Sequence, residues 1–166
     1  MDSELYRLAV EAGQVLQANG RMLVTTESCT GGWVAEAVTM VPGSSQWFER
    51  GFVTYTNLAK QQMLGVHTAT LELHGAVSEP TVREMVAGAL VHSPADVALA
   101  VSGVAGPSGG TAAKPVGMVC LAWALRGHEA IAVTRYFPGD REAVRRYSVI
   151  AALEGLIKML QAHPAS

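Results

Sequence analysis

Three side chains able to act as nucleophiles, Ser28, Cys29 and Thr30, sit together in TTESCTGG, residues 25–32. Ser and Thr are preferred where a helix begins, because its first N–H groups lack intrahelical partners, so capping alone can account for such a turn. The same N–H groups could also hold the anion that develops when a hydroxyl attacks an acyl carbon. A hydroxyl nucleophile needs a base, and Lys60 has the right chemistry in an unusual place. If Asn57 caps the segment NLAKQQML, Lys60 falls at the third helical position. A cation there opposes the helix dipole by about 0.3–1 kcal/mol. Dipole and burial together would favour the neutral amine, which can take the Ser28 proton. Arg141, directly after the cap residue Asp140, breaks the same rule. It does not lose its charge and suits an anionic group such as phosphate. Local rules broken without structural gain tend to mark functional sites, although both stems could also simply carry their charges into solvent.

Two further features have both a chemical and a structural reading. Cys29 at a helix start could be a thiolate nucleophile, yet a small buried Cys is also an ordinary core residue. Neighbouring extended residues point to opposite sides, so only one of Ser28 and Cys29 is expected to face a site. The loop GVAGPSGG, residues 103–110, has neither the GxGxxG nor the Walker spacing. Its glycines could let N–H groups approach an anion or could merely turn the chain.

The elements that must position these residues follow from periodicity. Leu5, Leu8, Ala9, Ala12 and Leu16 have helical spacing, stopped by ANG at 18–20. MLVTTE reads as a first strand, TGGWVAEAVTMV as a helix broken at Pro42-Gly43, and GFVTYT as a second strand. NLAKQQML is a short helix stopping at Gly65, and SEPTVREMVAGALV is another, capped by Ser78 with Pro80 in its first turn. DVALAVSG is apolar enough to be buried on both faces of a sheet. VGMVCLAWAL and AIAVTRYF are joined by the short RGHE, which predicts an antiparallel hairpin. A long helix over residues 140–160 closes the chain. This alternation predicts a three-layer α/β/α sandwich with a mixed, mostly parallel sheet of about five strands, one of them antiparallel. Ligands gather beyond the carboxyl ends of such strands, where ESCTGG, YTNLAK and VSGVAGPSGG leave the sheet. FPGDR leaves the last strand, whose direction the hairpin leaves open.

Composition narrows the classes. The 166 residues suit one domain over residues 1–166, and 49% hydrophobic against 16% charged residues argues for a packed core. So apolar a chain could also hide surface by oligomerising. A net charge of −2 gives no global basic field for nucleic acid. Two distant cysteines and five scattered histidines offer no disulfide framework or zinc spacing. The opening MDSELYRLAV does not resemble a signal peptide, and no apolar run reaches the roughly 18 residues of a membrane span. The expectation is a soluble, cytoplasmic protein without metal.

ESCTGG, VPGSS, GFVTYTNLAK, LGV, HGAVSE, VSGVAGPSGGTAAKPVG and FPGDR occur in this order over residues 5–160. In that combination the chain resembles the carboxy-terminal domain of the competence-damage-inducible CinA proteins, the nicotinamide-nucleotide amidase family. The resemblance implies hydrolysis of nicotinamide mononucleotide to nicotinate mononucleotide and ammonia, with no cofactor, in a cytoplasmic bacterial homo-oligomer with an α/β/α fold. It places the serine nucleophile on Ser28, the lysine base on Lys60 and a tyrosine on Tyr55. Ser102, Gly103 and Gly106 fall in the binding loop and Arg141 on its basic residue. YTN stands here where YSN is more usual, and Ser102-Gly103 where TG is common; both changes keep a hydroxyl. Many relatives carry an additional domain similar to molybdopterin-binding proteins. None of its pattern occurs in these residues, so its pyrophosphatase activity is not carried over.

The implied chemistry is acyl transfer, with N–H groups around Cys29, Thr30 and Gly31 holding the oxyanion and Lys60 or Tyr55 protonating the leaving ammonia. Tyr55 can equally be a half-buried strand residue. Two other readings stand beside this one: an amidase using Cys29, and a nucleotide-binding regulatory module without turnover. The second has no use for a serine and a lysine so placed.

Overall fold

The computed structural model describes residues 1–166. In chain order the elements are α1 (Ser3–Ala18), β1 (Leu23–Glu27), α2 (Trp33–Thr39), β2 (Phe48–Val53), α3 (Asn57–Leu64), α4 (Thr68–His74), α5 (Glu79–Val91), β3 (Val97–Gly103), β4 (Met118–Leu125), β5 (Ile131–Tyr136) and α6 (Arg141–Ala162). The sheet order is β2-β1-β3-β4-β5. β1 is parallel to β2 and β3, whereas β4 is antiparallel to both β3 and β5. The single reversed strand is therefore β4. β5 returns to the common direction, which settles the question left by the hairpin and brings FPGDR to the same end as the other strand exits.

Burial explains the order. β1, β3 and β4 are buried along almost their whole length, whereas β2 and β5 are the partly exposed edges. One apolar cluster joins α1, α2 and α6 to one face of the sheet, and a second joins α3, α4 and α5 to the other. These are the three layers expected from the alternation. Trp47 and Trp123 are both in the first cluster, and Trp123 donates its indole N–H to the Ala152 carbonyl of α6 at 2.9 Å.

Caps fix several boundaries. Ser78 and Asp140 cap α5 and α6 as expected, accepting from Thr81 N and Ala143 N. Gly65 ends α3 in the left-handed conformation, with φ of 68°. Three boundaries differ from the sequence reading. α3 is capped by Thr56, not Asn57: Thr56 is extended and its hydroxyl accepts from Ala59 N, so Asn57 is already helical. β2 lies at residues 48–53, because the chain leaves the sheet at Thr54 to reach α3. α2 starts at Trp33 rather than Thr30, since Gly31 and Gly32 take φ of 61° and 106°, outside the helical region. Neither Ser28 nor Thr30 caps it.

The chain crosses from β1 through α2 to β2 on one side, then through α3, α4 and α5 to β3 on the other. β1 and β3 thus flank the point where the strand order reverses, where open α/β sheets form their crevice. α3 reaches that crevice because Gly88 of α5 lets the two helices touch. A Cβ at Gly88 would overlap the Leu64 carbonyl oxygen at the end of α3. Gly88→Ala is therefore expected to destabilise the protein by about 1–3 kcal/mol in urea unfolding, as overpacking does. Loss of activity should exceed what the unfolded fraction explains, because α3 carries Lys60.

Candidate active site

Ser28 follows β1 directly and still belongs to the sheet ladder, its N–H donating to Val101 O at 2.9 Å. This fixes the backbone of the residue on a central strand, so its side chain is aimed by rigid structure. Lys60 reaches it from α3, in the helical layer packed on that sheet, with Nζ 3.0 Å from Ser28 Oγ and 2.8 Å from the Thr54 carbonyl oxygen. Thr54 is itself tied to β1, donating its N–H to Glu27 O at 2.8 Å. The lysine is thus held between the hydroxyl and a carbonyl locked to the same strand.

Lys60 is 1% exposed and Ser28 8% exposed. Lys60 makes no ion pair with any carboxylate. Burial disfavours its ammonium and pulls its pKa from 10.5 down to about 8. Burial, rather than a neighbouring cation, is the cause. Cys29 is buried as well, and loss of solvation pushes its thiol up to about 11, which disfavours the thiolate.

The turn itself is organised by a residue the sequence reading passed over. Glu27, 1% exposed, accepts from Thr30 Oγ1 at 2.6 Å, Val34 N at 2.8 Å and Ala35 N at 3.1 Å. Its carboxylate supplies the N-terminal partners of α2 from within the sheet, a favourable place for negative charge. A glutamate ending a central strand just before a small-residue turn was the available signal. Gly31 N–H is bonded to Ser28 O at 3.0 Å, so it is not free for a ligand as expected. Cys29 N–H and Thr30 N–H have no acceptor in any other residue.

The cleft in front of this pair has a volume of about 250 Å³. Ser28, Cys29, Tyr55, Asn57, Lys60, Ser102, Gly103 and Arg141 all line it. Gly103 passes close over the turn: a Cβ there would lie 3.2 Å from Cys29 Sγ and 2.7 Å from Val119 Cγ2. Gly106 is drawn in through Arg141, which donates to Gly106 O at 2.9 Å and to Tyr55 Oη at 3.0 Å. Tyr55 is 58% exposed, and its hydroxyl makes no hydrogen bond with Ser28 or Lys60. Thr30 and Gly31 put no side chain on its wall, the Thr30 hydroxyl turning instead to Glu27. Asn57, relieved of capping by Thr56, is a lining residue that the sequence reading assigned elsewhere. A larger groove of about 660 Å³ between β5 and α6 contains none of these groups. No three His, Cys, Asp or Glu side chains gather in a metal-binding arrangement, and no helix is long and apolar enough to cross a membrane.

Residues 5–160 match the family model described as the CinA C-terminal domain. The chain belongs to this family. It is 55% identical over 155 residues to the nicotinamide-nucleotide amidohydrolase PncC of Escherichia coli strain K12, covering 93% of this chain and 94% of that protein. Against the protein of the same name from Pseudomonas putida it is 53% identical, covering 92% and 94%. The crystal structure of the competence/damage inducible protein CihA from Agrobacterium tumefaciens is similar with a TM-score of 0.92 and 46% identity, covering 97% of this chain and 98% of that one.

A lysine whose pKa is lowered on folding has a measurable signature. Between pH 8 and 10.5 the unfolded chain holds the Lys60 proton more than the folded one, so stability from this residue rises with pH through that window. Below pH 8 both states carry the proton and the penalty is constant. Stability of the native protein relative to Lys60→Met should therefore rise by up to about 3 kcal/mol from pH 7.5 to 10.5, measured by urea unfolding. A flat difference would place the Lys60 pKa near its ordinary value.

Proposed function

We propose that this CinA-family chain hydrolyses the carboxamide of nicotinamide mononucleotide to nicotinate mononucleotide and ammonia, with Ser28 as nucleophile and Lys60 as general base. The 55% identity with a nicotinamide-nucleotide amidohydrolase over 93% of the chain supports the reaction. The observation that carries the mechanism is the buried contact of Lys60 Nζ with Ser28 Oγ. With its pKa near 8, about a tenth of Lys60 is the free amine at pH 7, against a negligible fraction for an ordinary lysine.

The steps balance on these groups alone. The Lys60 amine donates one N–H to Thr54 O and turns its lone pair to the Ser28 hydroxyl, taking the proton as Oγ bonds to the carboxamide carbon. The oxyanion formed is received by the N–H groups of Cys29 and Thr30. Lys60 returns the proton to the amide nitrogen, the C–N bond breaks and ammonia leaves. Water then attacks the acyl carbon, giving its proton to Lys60, and the Ser28 oxygen departs with that proton. Tyr55 and Arg141 form the outer wall, where Arg141 takes the phosphate and Tyr55 holds its guanidinium in place. Ser102 and Gly103 form a further part of the wall, and Gly106 holds Arg141 through its carbonyl. Cys29 contributes its backbone N–H rather than its thiol, since burial keeps the thiol protonated.

Ammonia release from nicotinamide mononucleotide by the purified protein tests the reading. Ser28→Ala should abolish it with the fold intact, whereas Cys29→Ala should keep most of it. The reverse pattern would exclude the hydroxyl mechanism, and a wild-type protein that binds the nucleotide but releases no ammonia would point to a binding module. The rate should rise with pH through an apparent pKa of about 8. Lys60→Arg, charged but unable to give up its proton, should be nearly as inactive as Lys60→Ala.

Arg141→Ala should weaken nicotinamide mononucleotide by roughly ten- to a hundredfold, the worth of a charge-assisted hydrogen bond. It should have little effect on the dephosphorylated riboside. Equal losses for both ligands, measured as kcat/KM, would exclude a phosphate contact at this residue.

A further inference from the structure

The turn that carries Ser28 is held from behind by an arginine for which the proposed reaction has no direct use. Arg145, on α6, donates from Nε to Cys29 O at 3.0 Å and from Nη2 to Thr30 O at 3.2 Å. Its guanidinium carbon lies 5.5 Å from the centre of the Trp33 ring, the first residue of α2. It forms no salt bridge with any carboxylate. A guanidinium that forgoes carboxylates to bind two successive carbonyls fixes the orientation of the peptide planes to which they belong.

That orientation bears on the reaction. In a trans peptide the N–H points opposite to the preceding carbonyl, so holding Cys29 O toward α6 turns Thr30 N–H away from α6. α3, which brings Lys60, packs on the other face of the sheet. The Cys29 and Thr30 N–H groups, neither with an acceptor in another residue, belong to residues 6% and 0% exposed. Buried N–H groups are almost always paired, and two in succession beside a nucleophile are a site awaiting an acceptor. The other N–H groups that could compete are engaged: Ser28 with Val101 O, Gly31 with Ser28 O and Trp33 with Thr30 O.

We infer that Arg145 is a positioning residue for the proposed amidase, locking the Cys29–Thr30 peptide so that its N–H is presented to the oxyanion of the tetrahedral intermediate. This rests on the Ser28 acyl-transfer reading. The positive charge on the carbonyl side also polarises the peptide and strengthens its N–H as a donor. Arg145 itself touches no substrate. Its contribution belongs to the transition state, because the oxyanion exists only after attack.

The test compares the native protein with Arg145→Met, which keeps an apolar stem over Trp33 and removes both donors. The expected result is a fall in kcat of about ten- to a hundredfold, the range for a misplaced oxyanion donor. Nicotinamide mononucleotide binding, measured by calorimetry in the Ser28→Ala background, should change by less than about twofold. The aldehyde analogue of the nucleotide, which forms a tetrahedral adduct with Ser28, should lose affinity in parallel with kcat. If Arg145→Met folds poorly, Arg145→Lys decides, since it keeps the charge and at most one carbonyl contact; its kcat should fall by at least about threefold. An unchanged kcat in the folded variant overturns the assignment, as does an equal loss in ground-state and adduct binding. A native protein that releases no ammonia would instead remove the amidase reading, which separates the two failures.

Discussion

The site depends on a cation kept out of water without a counter-ion. Lys60 is the largest fully buried side chain of the protein, and its partners are a hydroxyl and a carbonyl rather than a carboxylate. A carboxylate there would have stabilised the ammonium and raised its pKa, against the proposed role as a base. The only buried carboxylate nearby, Glu27, is engaged by Thr30 and the first N–H groups of α2. Two buried ionisable groups, one beside Ser28 in the chain and one bonded to its hydroxyl, thus form no ion pair with each other. One is satisfied by a helix terminus, and the other is left basic.

The scaffold makes that separation possible. β1 is central in the sheet yet reads Leu-Val-Thr-Thr-Glu, with every residue buried. Polar groups in such a strand are disfavoured, and the Thr25 and Thr26 hydroxyls, like that of the neighbouring Thr54, find no hydrogen-bond partner within the chain. That cost is offset by the apolar clusters on both faces, to which Leu23 and Val24 of β1 contribute. Ser28 ends a sheet strand and Lys60 comes from the helical layer packed on that sheet, so their 3.0 Å contact depends on how closely α3 approaches β1. Gly88 in α5 leaves room for the end of α3, and Gly103 leaves room for Cys29 in the turn.

α6 divides its labour between two arginines four residues apart. Like charges at this spacing repel on a helix face. Arg141 answers the repulsion by reaching outward to Gly106 and Tyr55, and Arg145 by reaching inward to the turn after β1. The sequence marked Arg141 as a cation in the first turn of a helix but gave no sign of Arg145, whose partner Cys29 lies 116 residues earlier in the chain.

What the sequence determined by itself were the features governed by neighbours along the chain. The helical faces of α1 and α5, the caps Ser78 and Asp140, the apolar run of β3 and the unfavourable placement of Lys60 all follow from forces acting over a few residues. The layer architecture followed from the order of those elements. Choices between adjacent candidates were less legible: Thr56 over Asn57 as a cap, and a late start of α2 forced by Gly31 and Gly32. Only the tertiary structure decided that β5 runs with β1, which brings Arg141 to the cleft, and that Glu27 and Arg145 grip the turn from two sides. It also decided the protonation of Lys60, since desolvation depends on everything packed around the amine. Periodicity and capping are local, whereas burial and charge balance are summed over the whole fold.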